Sequence, residues 1–468
     1  MKKRGRKKYK RNKVQRRLLA ILAVSLLFFG CLLADCYKKG LLFHGQDRQE
    51  SFGQKESKKE GTGKNRDRKQ IRVLLTNTDQ SAVFHQEVSI SSNQEFTVEK
   101  NGKKESYEAG ETVTFGTKGW KKSWGDVVVS CPRGRLKVTS LRRRQQIPAY
   151  RGKLILNKTS RGILLVNRLP LGEYLYGVLP SEMSAEYPLE ALKAQAVCAR
   201  SFAWRQMQSD AYKKYGADVD DTTACQVYGM AQESARCVKA VKATAGKMLF
   251  HGKEVITTYY YATSWGCSAT VKEVWGGEKN ASCYPRKLQI TLDSQKETGL
   301  TSLDLSDEKI FQSFLSDTLC DTYDGESDWY RWKITIPAKE LGARLGLGKV
   351  EQIQVVKREQ SGLLSRLRVV GTRGRITLSG QQEIREKLMV AGRQIEKKDG
   401  TKVEFSMLPS AAFLIRQGVE GKKACFVFFG GGFGHGAGMS QTGAAGMAKS
   451  GCSYKDIVNH YFNDCELR

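Results

Sequence analysis

Short stretches of alternating apolar and polar residues dominate the chain from Ile71 to about Leu169. Eight of them are separated by glycine, asparagine and charged residues: IRVLLTN, AVFHQEVSI, EFTVEK, ETVTFGT, DVVVSC, RLKVTS, KLILN and GILLVN. Successive side chains of a strand point to opposite faces, so a period of two predicts half-buried β-strands. We therefore expect a β-rich part over residues 71–168.

Helical spacing begins after Pro188, where apolar residues recur every three or four positions. Further helices are predicted over about 233–245, 303–316, 338–345 and 454–462, and the last begins with Ser453 and Asp456 in the arrangement of a capping box. Strands return at KMLFHG and EVITTYYYATS, and VEQIQVVKRE with RLRVVGT predicts a hairpin. The predicted fold class is α+β, with a mixed helix and strand domain over residues 169–468.

An uncharged apolar run, LLAILAVSLLFFGCLLA, extends from Leu18 to Ala34. As a helix it would span roughly 25 Å, close to the bilayer core, and it predicts a transmembrane helix over 18–35. A cleaved secretory signal is the alternative, but the run is longer than a usual signal core and is followed by a poor cleavage site. Residues 1–17 carry eleven Lys or Arg and no acid, which predicts a cytoplasmic tail. The bulk of the chain is then extracytoplasmic, on a polar linker over 36–70.

The formal net charge of +30 over 468 residues first suggests a nucleic-acid partner. Its distribution argues against one, because residues 36–72 carry a net +6 and residues 73–468 only +14. Binding of DNA through residues 1–17 alone is the nucleic-acid hypothesis that remains. Ten of the twelve cysteines lie in the part predicted to be exported, where disulfides can form. The sequence contains no CxxC motif, which argues against a zinc ribbon or a thioredoxin-like redox site.

A glycine-rich stretch, GGGFGHGAGMSQTGAAGMA, occupies residues 430–448. It fits neither the P-loop nor the dinucleotide-binding pattern. It offers backbone that can approach a ligand closely, together with His435, Ser440 and Gln441. A tight glycine turn around a buried histidine is the structural alternative, but so many glycines are costly in conformational entropy, which favours a site.

Glu182 is the second candidate, and the pattern places it in a loop before the helix that starts at Pro188. A carboxyl group among apolar neighbours can act as a general acid near neutral pH. Arg200, on the following helix, could project towards the same cleft. A solvated loop acid and an ion-pairing arginine are the structural alternatives for Glu182 and Arg200.

Five sequence blocks resemble the stage II sporulation protein D family (SpoIID/LytB domain) of bacterial cell-wall proteins. They occur in the family's order over about residues 70–465: LPLGEYLYGVLPSEM, EALKAQAVCARSFA, DTTACQVYG, TTYYYATSWGCS and GHGAGMSQTGAAGMAKSGCSYKDIVNHYF. The resemblance implies a membrane-anchored protein that acts on peptidoglycan, and the sporulation members are similar to lytic transglycosylases that cut denuded glycan strands. It implies that Glu182 is the catalytic acid, that Arg200 is catalytically essential and that His435, Ser440 and Gln441 bind substrate.

A lytic transglycosylase needs one dominant carboxyl group. The acid gives a proton to the glycosidic oxygen and then takes one from the sugar's own 6-hydroxyl, so no water is activated. The predicted function is therefore cleavage of MurNAc–GlcNAc links to 1,6-anhydro-MurNAc ends. The alternative is a non-catalytic wall-binding protein that enhances an N-acetylmuramoyl-L-alanine amidase.

The chain departs from the family pattern at several positions. Some sporulation members bind zinc through a histidine and cysteines, but Tyr261 and Glu273 stand at two of those positions and only Cys267 remains. We therefore expect neither a metal site nor a cofactor. Cys225 stands where relatives often carry a histidine, and Gly172 replaces an acid that is common in this block.

Overall fold

The computed structural model describes three stretches of the chain, residues 63–277, 280–316 and 321–468. The tail predicted over 1–17, the membrane helix predicted over 18–35 and most of the linker predicted over 36–70 lie outside them. Within the described stretches, no helix combines the length and apolar character needed to cross a membrane. Helices and strands are mixed along the described chain, which confirms the predicted α+β class.

All eight strands predicted from the alternating pattern are present. The elements of this part are α1 (Gly63–Arg66), β1 (Gln70–Leu74), β2 (Glu87–Ser92), β3 (Phe96–Lys100), β4 (Lys103–Tyr107), β5 (Thr112–Gly116), β6 (Val127–Ser130), β7 (Leu136–Val138), β8 (Ala149–Tyr150), β9 (Lys153–Thr159) and β10 (Gly162–Pro170). The strands β4 and β8 were not predicted.

Helices and short strands follow. They are α2 (Leu171–Glu182), α3 (Leu189–Met207), β11 (Val219–Asp220), α4 (Ala235–Ala243), β12 (Leu249–His251), β13 (Glu254–Val255) and β14 (Tyr260–Tyr261). The prediction that Glu182 lies in a loop is wrong, because it is the last residue of α2. Leu171, Leu175, Val178 and Leu179 have helical spacing and are all buried, so packing stabilises a helix despite its internal Pro180.

The remaining elements confirm the predicted hairpin and the last helix with its capping box. They are α5 (Val271–Trp275), α6 (Leu292–Thr298), α7 (Glu308–Ser316), β15 (Trp332–Pro337), α8 (Ala338–Leu345), β16 (Val350–Arg358), β17 (Leu364–Gly371), β18 (Gly374–Ser379), α9 (Gln381–Leu388), β19 (Gln394–Lys397), β20 (Lys402–Glu404), β21 (Phe413–Glu420), β22 (Lys423–Gly430), β23 (Met439–Ser440), α10 (Gln441–Lys449), α11 (Tyr454–Tyr461) and β24 (Glu466–Leu467).

Two compact units divide the described chain. The first comprises the residues up to Tyr260 together with 282–285 and 444–468, and the second comprises Tyr261–Ala281 and Arg286–Gly443. The first unit is built on a seven-stranded sheet with the order β11-β1-β10-β9-β6-β3-β4 and a four-stranded sheet with the order β5-β2-β7-β8. Its helices α2, α3 and α4 pack on one another.

The second unit has a five-stranded sheet with the order β20-β19-β15-β22-β21 and a three-stranded sheet with the order β16-β17-β18. Its main core joins strands of both sheets to helices α8 and α9, with Trp332, Phe413 and Phe428 among its largest buried side chains. Burial of such apolar surface is the dominant stabilising term for a unit of this kind.

Candidate functional site

Helix α2 carries Glu182 at its C-terminal end. Pro180 stands in the last turn, where its missing N–H removes a helical hydrogen bond, and the chain becomes extended at Met183, with φ −129° and ψ 148°. The residue is half-buried, so its carboxylate keeps access to solvent. The end of α2 therefore presents a carboxyl group at a fixed point of the first unit.

Two donors hold the Glu182 carboxylate. The backbone N–H of Val227 donates to Oε1 at 2.7 Å, and the Tyr260 hydroxyl forms a second hydrogen bond. Burial raises the pKa of Tyr260, and the charge of Glu182 adds to this shift, so the hydroxyl stays protonated. Gln226 donates to the Tyr260 oxygen at 3.0 Å and accepts from Tyr174 at 3.3 Å. The orientation of the carboxyl group is thus set by a partly buried hydrogen-bond network.

The same helix is locked to the segment that contains Val227. The Ser181 hydroxyl accepts from the backbone N–H groups of Met230 and Ala231 at 3.1 and 3.3 Å and donates to the Gly177 carbonyl at 2.7 Å. A Cβ added at Gly177 would lie 2.6 Å from the ring of Tyr228, so only glycine lets this ring pack against the helix. Residues of α2 that precede Glu182 therefore fix the position of the helix end relative to Val227.

Two neighbouring acids are buried and already engaged. Asp220 accepts from the Tyr212 hydroxyl and from the backbone and side chain of Thr222, each at 3.0 Å, and burial raises the pKa of Asp220 to about 6. Asp221 has a fully buried side chain and forms an ion pair with Arg143 at 2.7 Å. Glu182 is therefore the solvent-accessible acid of this group.

Arg200 lies on α3 with a fully buried side chain. Its Nε donates to Asp67 Oδ1 at 2.7 Å, and its other nitrogens donate to backbone carbonyls, among them those of Val241 and Lys247. Desolvation lowers the pKa of Arg200, and Asp67 opposes this shift. Within the described residues, no hydrogen bond joins Arg200 to Glu182, so the contacts match the ion-pair alternative. The catalytic role of Arg200 stays a prediction.

His435 sits in the glycine-rich loop of the second unit. Gly432 and Gly436 have φ of 76° and 89°, and a Cβ at Gly436 would lie 2.4 Å from the ring of Trp265. The Ala437 N–H donates to His435 Nδ1 at 3.1 Å, which places the proton of the neutral ring on Nε2. The imidazole packs against Trp275, whose ring centroid is 4.9 Å away. Glycine is therefore required here for close backbone approach.

Ser440 is buried and bound to an acid that was not predicted. Its hydroxyl donates to Asp324 Oδ1 at 2.5 Å, and the same oxygen accepts from Thr442 at 2.6 Å and from the Ser264 N–H at 3.0 Å. Burial raises the pKa of Asp324, and these donors oppose that shift. Gln441 starts α10 and is buried, and its Nε2 has no hydrogen-bond partner within the described residues.

The predicted site residues fall into two groups. Glu182 and Arg200 belong to the first unit, and His435, Ser440 and Gln441 belong to the second. The predicted substrate-binding role of the second group stays a prediction. Tyr260, Gln226 and Asp324 were missed. Gln226 and Tyr260 stand in two of the family blocks and Asp324 in none, but the contacts of all three join positions far apart in sequence, which no local pattern predicts.

The positions that the resemblance associates with zinc carry residues with structural roles in this chain. Glu273 accepts from Thr270 as part of a helix capping box and from the Ser361 N–H at 2.9 Å. Cys267 is buried, and burial raises the pKa of its thiol, which disfavours the thiolate form that binds metals. Among the described residues, no group of three or more His, Cys, Asp or Glu side chains could hold a metal ion.

Comparison with known proteins identifies the part of the chain that carries Arg200 and α2 as a recognised domain. Residues 159–251 match the family model described as "Stage II sporulation protein", and residues 269–438 match one described as "Domain of unknown function (DUF8618)". Residues 159–251 therefore correspond to a SpoIID-family domain, which confirms the resemblance found in the sequence.

Curated relatives have names from the same family. The chain is 29% identical to "Stage II sporulation protein D" of Bacillus subtilis (strain 168) over 319 residues, which cover 64% of this chain and 75% of that protein. It is 28% identical to the same-named protein of Bacillus amyloliquefaciens over 317 residues, 64% of this chain and 75% of that protein. It is 28% identical to "Amidase enhancer" of Bacillus subtilis (strain 168) over 302 residues, 62% of this chain but only 39% of that protein.

Proposed function

We propose that the protein is a lytic transglycosylase that cleaves MurNAc–GlcNAc links in peptidoglycan. The observation that carries the proposal is the arrangement of acids in the first unit. Glu182 is half-buried and oriented by Val227 and Tyr260, whereas Asp220 and Asp221 are buried and engaged elsewhere. One accessible carboxyl group suits a reaction in which the sugar supplies its own nucleophile.

The contacts suggest how the reaction would proceed. Glu182 gives its proton to the glycosidic oxygen as the bond breaks, and the Val227 N–H then holds the resulting carboxylate in place. The carboxylate next takes the proton of the 6-hydroxyl, whose oxygen closes the 1,6-anhydro ring. General acid–base assistance of this kind contributes about 10²–10⁴-fold to the rate.

The proposal includes the location of the protein. The apolar run at 18–34, preceded by eleven basic residues, would anchor the chain in the cell membrane with its bulk outside, where peptidoglycan lies. The net +14 on residues 73–468 would favour encounter with an anionic cell wall without defining the substrate.

Product analysis tests the proposal. Purified protein is incubated with glycan strands from which the peptides have been removed, and the products are analysed by mass spectrometry. Ends that are lighter by one water than hydrolysis products are expected. Glu182→Gln should abolish them, and Glu186→Gln, at an exposed position of the same segment, should not. Unchanged products from Glu182→Gln would refute the assignment of the acid.

The similarity to the amidase enhancer supports a second candidate function, in which the protein binds the wall without cutting it and stimulates an amidase. That function predicts no anhydro products from the unaltered protein. It also predicts faster release of peptides from peptidoglycan when the protein is added to an N-acetylmuramoyl-L-alanine amidase, and the same stimulation by Glu182→Gln.

A further inference from the structure

A strained two-residue turn connects Arg143 to Gln146 in the first unit. The N–H and C=O groups of these two residues exchange hydrogen bonds of 2.8 and 2.9 Å, which closes the turn. Its central residues, Arg144 and Gln145, have φ of 46° and 67°. Turns with two positive φ values favour Asn-Gly, because the left-handed conformation is unfavourable for residues with larger side chains. The backbone alone therefore does not explain an arginine at position 144.

The root of the turn is firmly held. The Arg143 side chain is 1% exposed and donates to Asp221 and to the Thr76 carbonyl at 2.7 Å each and to the Asn77 carbonyl at 2.8 Å. Asp221 lies in the same segment as Val227, which donates to Glu182. The turn is thus tied to the segment that orients the proposed catalytic acid. Strain of this kind persists where the surroundings impose it and is typical of functional sites.

The Arg144 side chain is exposed at the tip of this turn. Partial desolvation lowers the pKa of Arg144, and the charge of Glu182 opposes this shift, so the two groups lie within electrostatic range of each other. Within the described residues Arg144 has no ion pair, whereas the nearby Arg151 is paired with Glu233 at 2.7 Å. Arg144 therefore presents an exposed guanidinium to a ligand, on a turn whose root is hydrogen-bonded to the segment that orients Glu182.

We propose that Arg144 binds a carboxylate of the substrate. The assignment rests on the proposed function, and in a glycan strand the carboxylate within reach of the cleaved bond is that of the MurNAc lactyl group. This group is free in strands without peptides and is an amide in strands that carry them. A guanidinium binds a carboxylate through two parallel hydrogen bonds and loses them with an amide. Arg144 would therefore make the site selective for denuded strands.

A binding experiment on two chemically matched glycans tests this assignment. One sample is peptide-free glycan, and the other is the same glycan with its lactyl carboxylates converted to methylamides. The experiment uses full-length protein with Glu182→Gln, so that the glycan is bound but not cleaved. We expect this protein to bind the free acid about tenfold more tightly than the amide. Adding Arg144→Asn should abolish the difference. Asn suits the turn, so the melting temperature of that variant should not fall.

Adding Gln145→Gly instead relieves strain at the neighbouring position and keeps the arginine, so it should leave the tenfold preference in place. Two outcomes overturn the assignment. In one, the protein with Arg144→Asn still binds the free acid more tightly than the amide. In the other, the Glu182→Gln protein that retains Arg144 binds both glycans equally. Failure of the proposed function is seen separately, as a lack of anhydro products from the unaltered protein. If those products are absent but Arg144→Asn still removes the preference for the free acid, Arg144 remains a carboxylate-binding residue.

Discussion

The guanidinium of Arg200 is buried against the carboxylate of Asp67, which comes from the segment before β1. Gly172 leaves the space that this acid fills, because a Cβ at Gly172 would lie 3.2 Å from Asp67 Cβ and 3.4 Å from Asp67 Oδ2. The resemblance to the family expects an acid at position 172. We infer that Asp67 supplies from another segment the charge that an acid at 172 would provide.

This exchange predicts a rescue. Asp67→Ala leaves a buried guanidinium without its partner and should lower the free energy of unfolding by about 3–5 kcal/mol. Adding Gly172→Glu to that variant should recover part of the lost free energy of unfolding, because the new side chain begins next to the space that the Asp67 side chain occupied. Denaturant unfolding measures both. Gly172→Glu alone should be destabilising, because it crowds Asp67, and a double variant no more stable than Asp67→Ala would contradict the inference.

Sequence motifs located the candidate residues of each unit more readily than the residues that contact them. Glu182 and His435 stand in recognisable blocks, but Asp324 follows no motif and meets Ser440 across 116 positions of the chain. Arg144 was missed for a related reason, since its turn lacks the Asn-Gly signal that marks such turns in a sequence. The sequence therefore predicts the groups that its motifs contain and not those that tertiary contacts bring to them.

At the scale of elements, burial decides which ones the pattern predicts. Strands β3, β6, β7 and β9 alternate because one face of each is buried, whereas β4 was missed because four of its five residues are exposed and no alternation results. Helix α2 was missed because Gly172, Gly177 and Pro180 are poor helix formers. Packing on α3 and on the segment around Tyr228 outweighs that cost.

The same contact predicts an unusual response to alanine. Gly177→Ala should gain about 1 kcal/mol of helix propensity, but its Cβ would overlap the Tyr228 ring, and overpacking costs about 1–3 kcal/mol. We expect a lower free energy of unfolding and slower release of anhydro products, because α2 must shift and carries Glu182 with it. Gly119→Ala, in open space, should change neither quantity. If Gly177→Ala is as stable as the unaltered protein, or more stable, the prediction is wrong and α2 accommodates the added Cβ.

On the scale of the whole molecule, the first unit is discontinuous in sequence. Residues 282–285 return to it between two stretches of the second unit, and the C-terminal residues complete it. The Tyr284 hydroxyl donates to the Thr257 carbonyl at 2.6 Å, and the Asn463 N–H donates to the Cys283 carbonyl at 3.2 Å. The spacing of the cysteines could not reveal which pairs meet, because this return has no local signal.

Cys283 and Cys465 meet at this point, where their free thiols are hydrogen-bonded to each other. We expect oxidised glutathione to convert them to a disulfide, with two protons and two electrons passing to glutathione disulfide as it becomes two thiols. Desolvation raises the pKa of both thiols, so oxidation should quicken as the pH rises from neutral to alkaline. The bond should raise stability by about 2–4 kcal/mol, because it restrains the unfolded chain.

Peptide mapping under non-reducing conditions measures the link, and thermal unfolding measures its effect. Cys283→Ser should abolish both, whereas Cys452→Ser, in the same C-terminal stretch, should leave them unchanged. A disulfide between other cysteines, or none after prolonged oxidation at alkaline pH, would contradict the pairing. The predicted outcome would mean that an oxidising compartment strengthens the first unit at the two places where the chain returns to it, which is consistent with the proposed location outside the membrane.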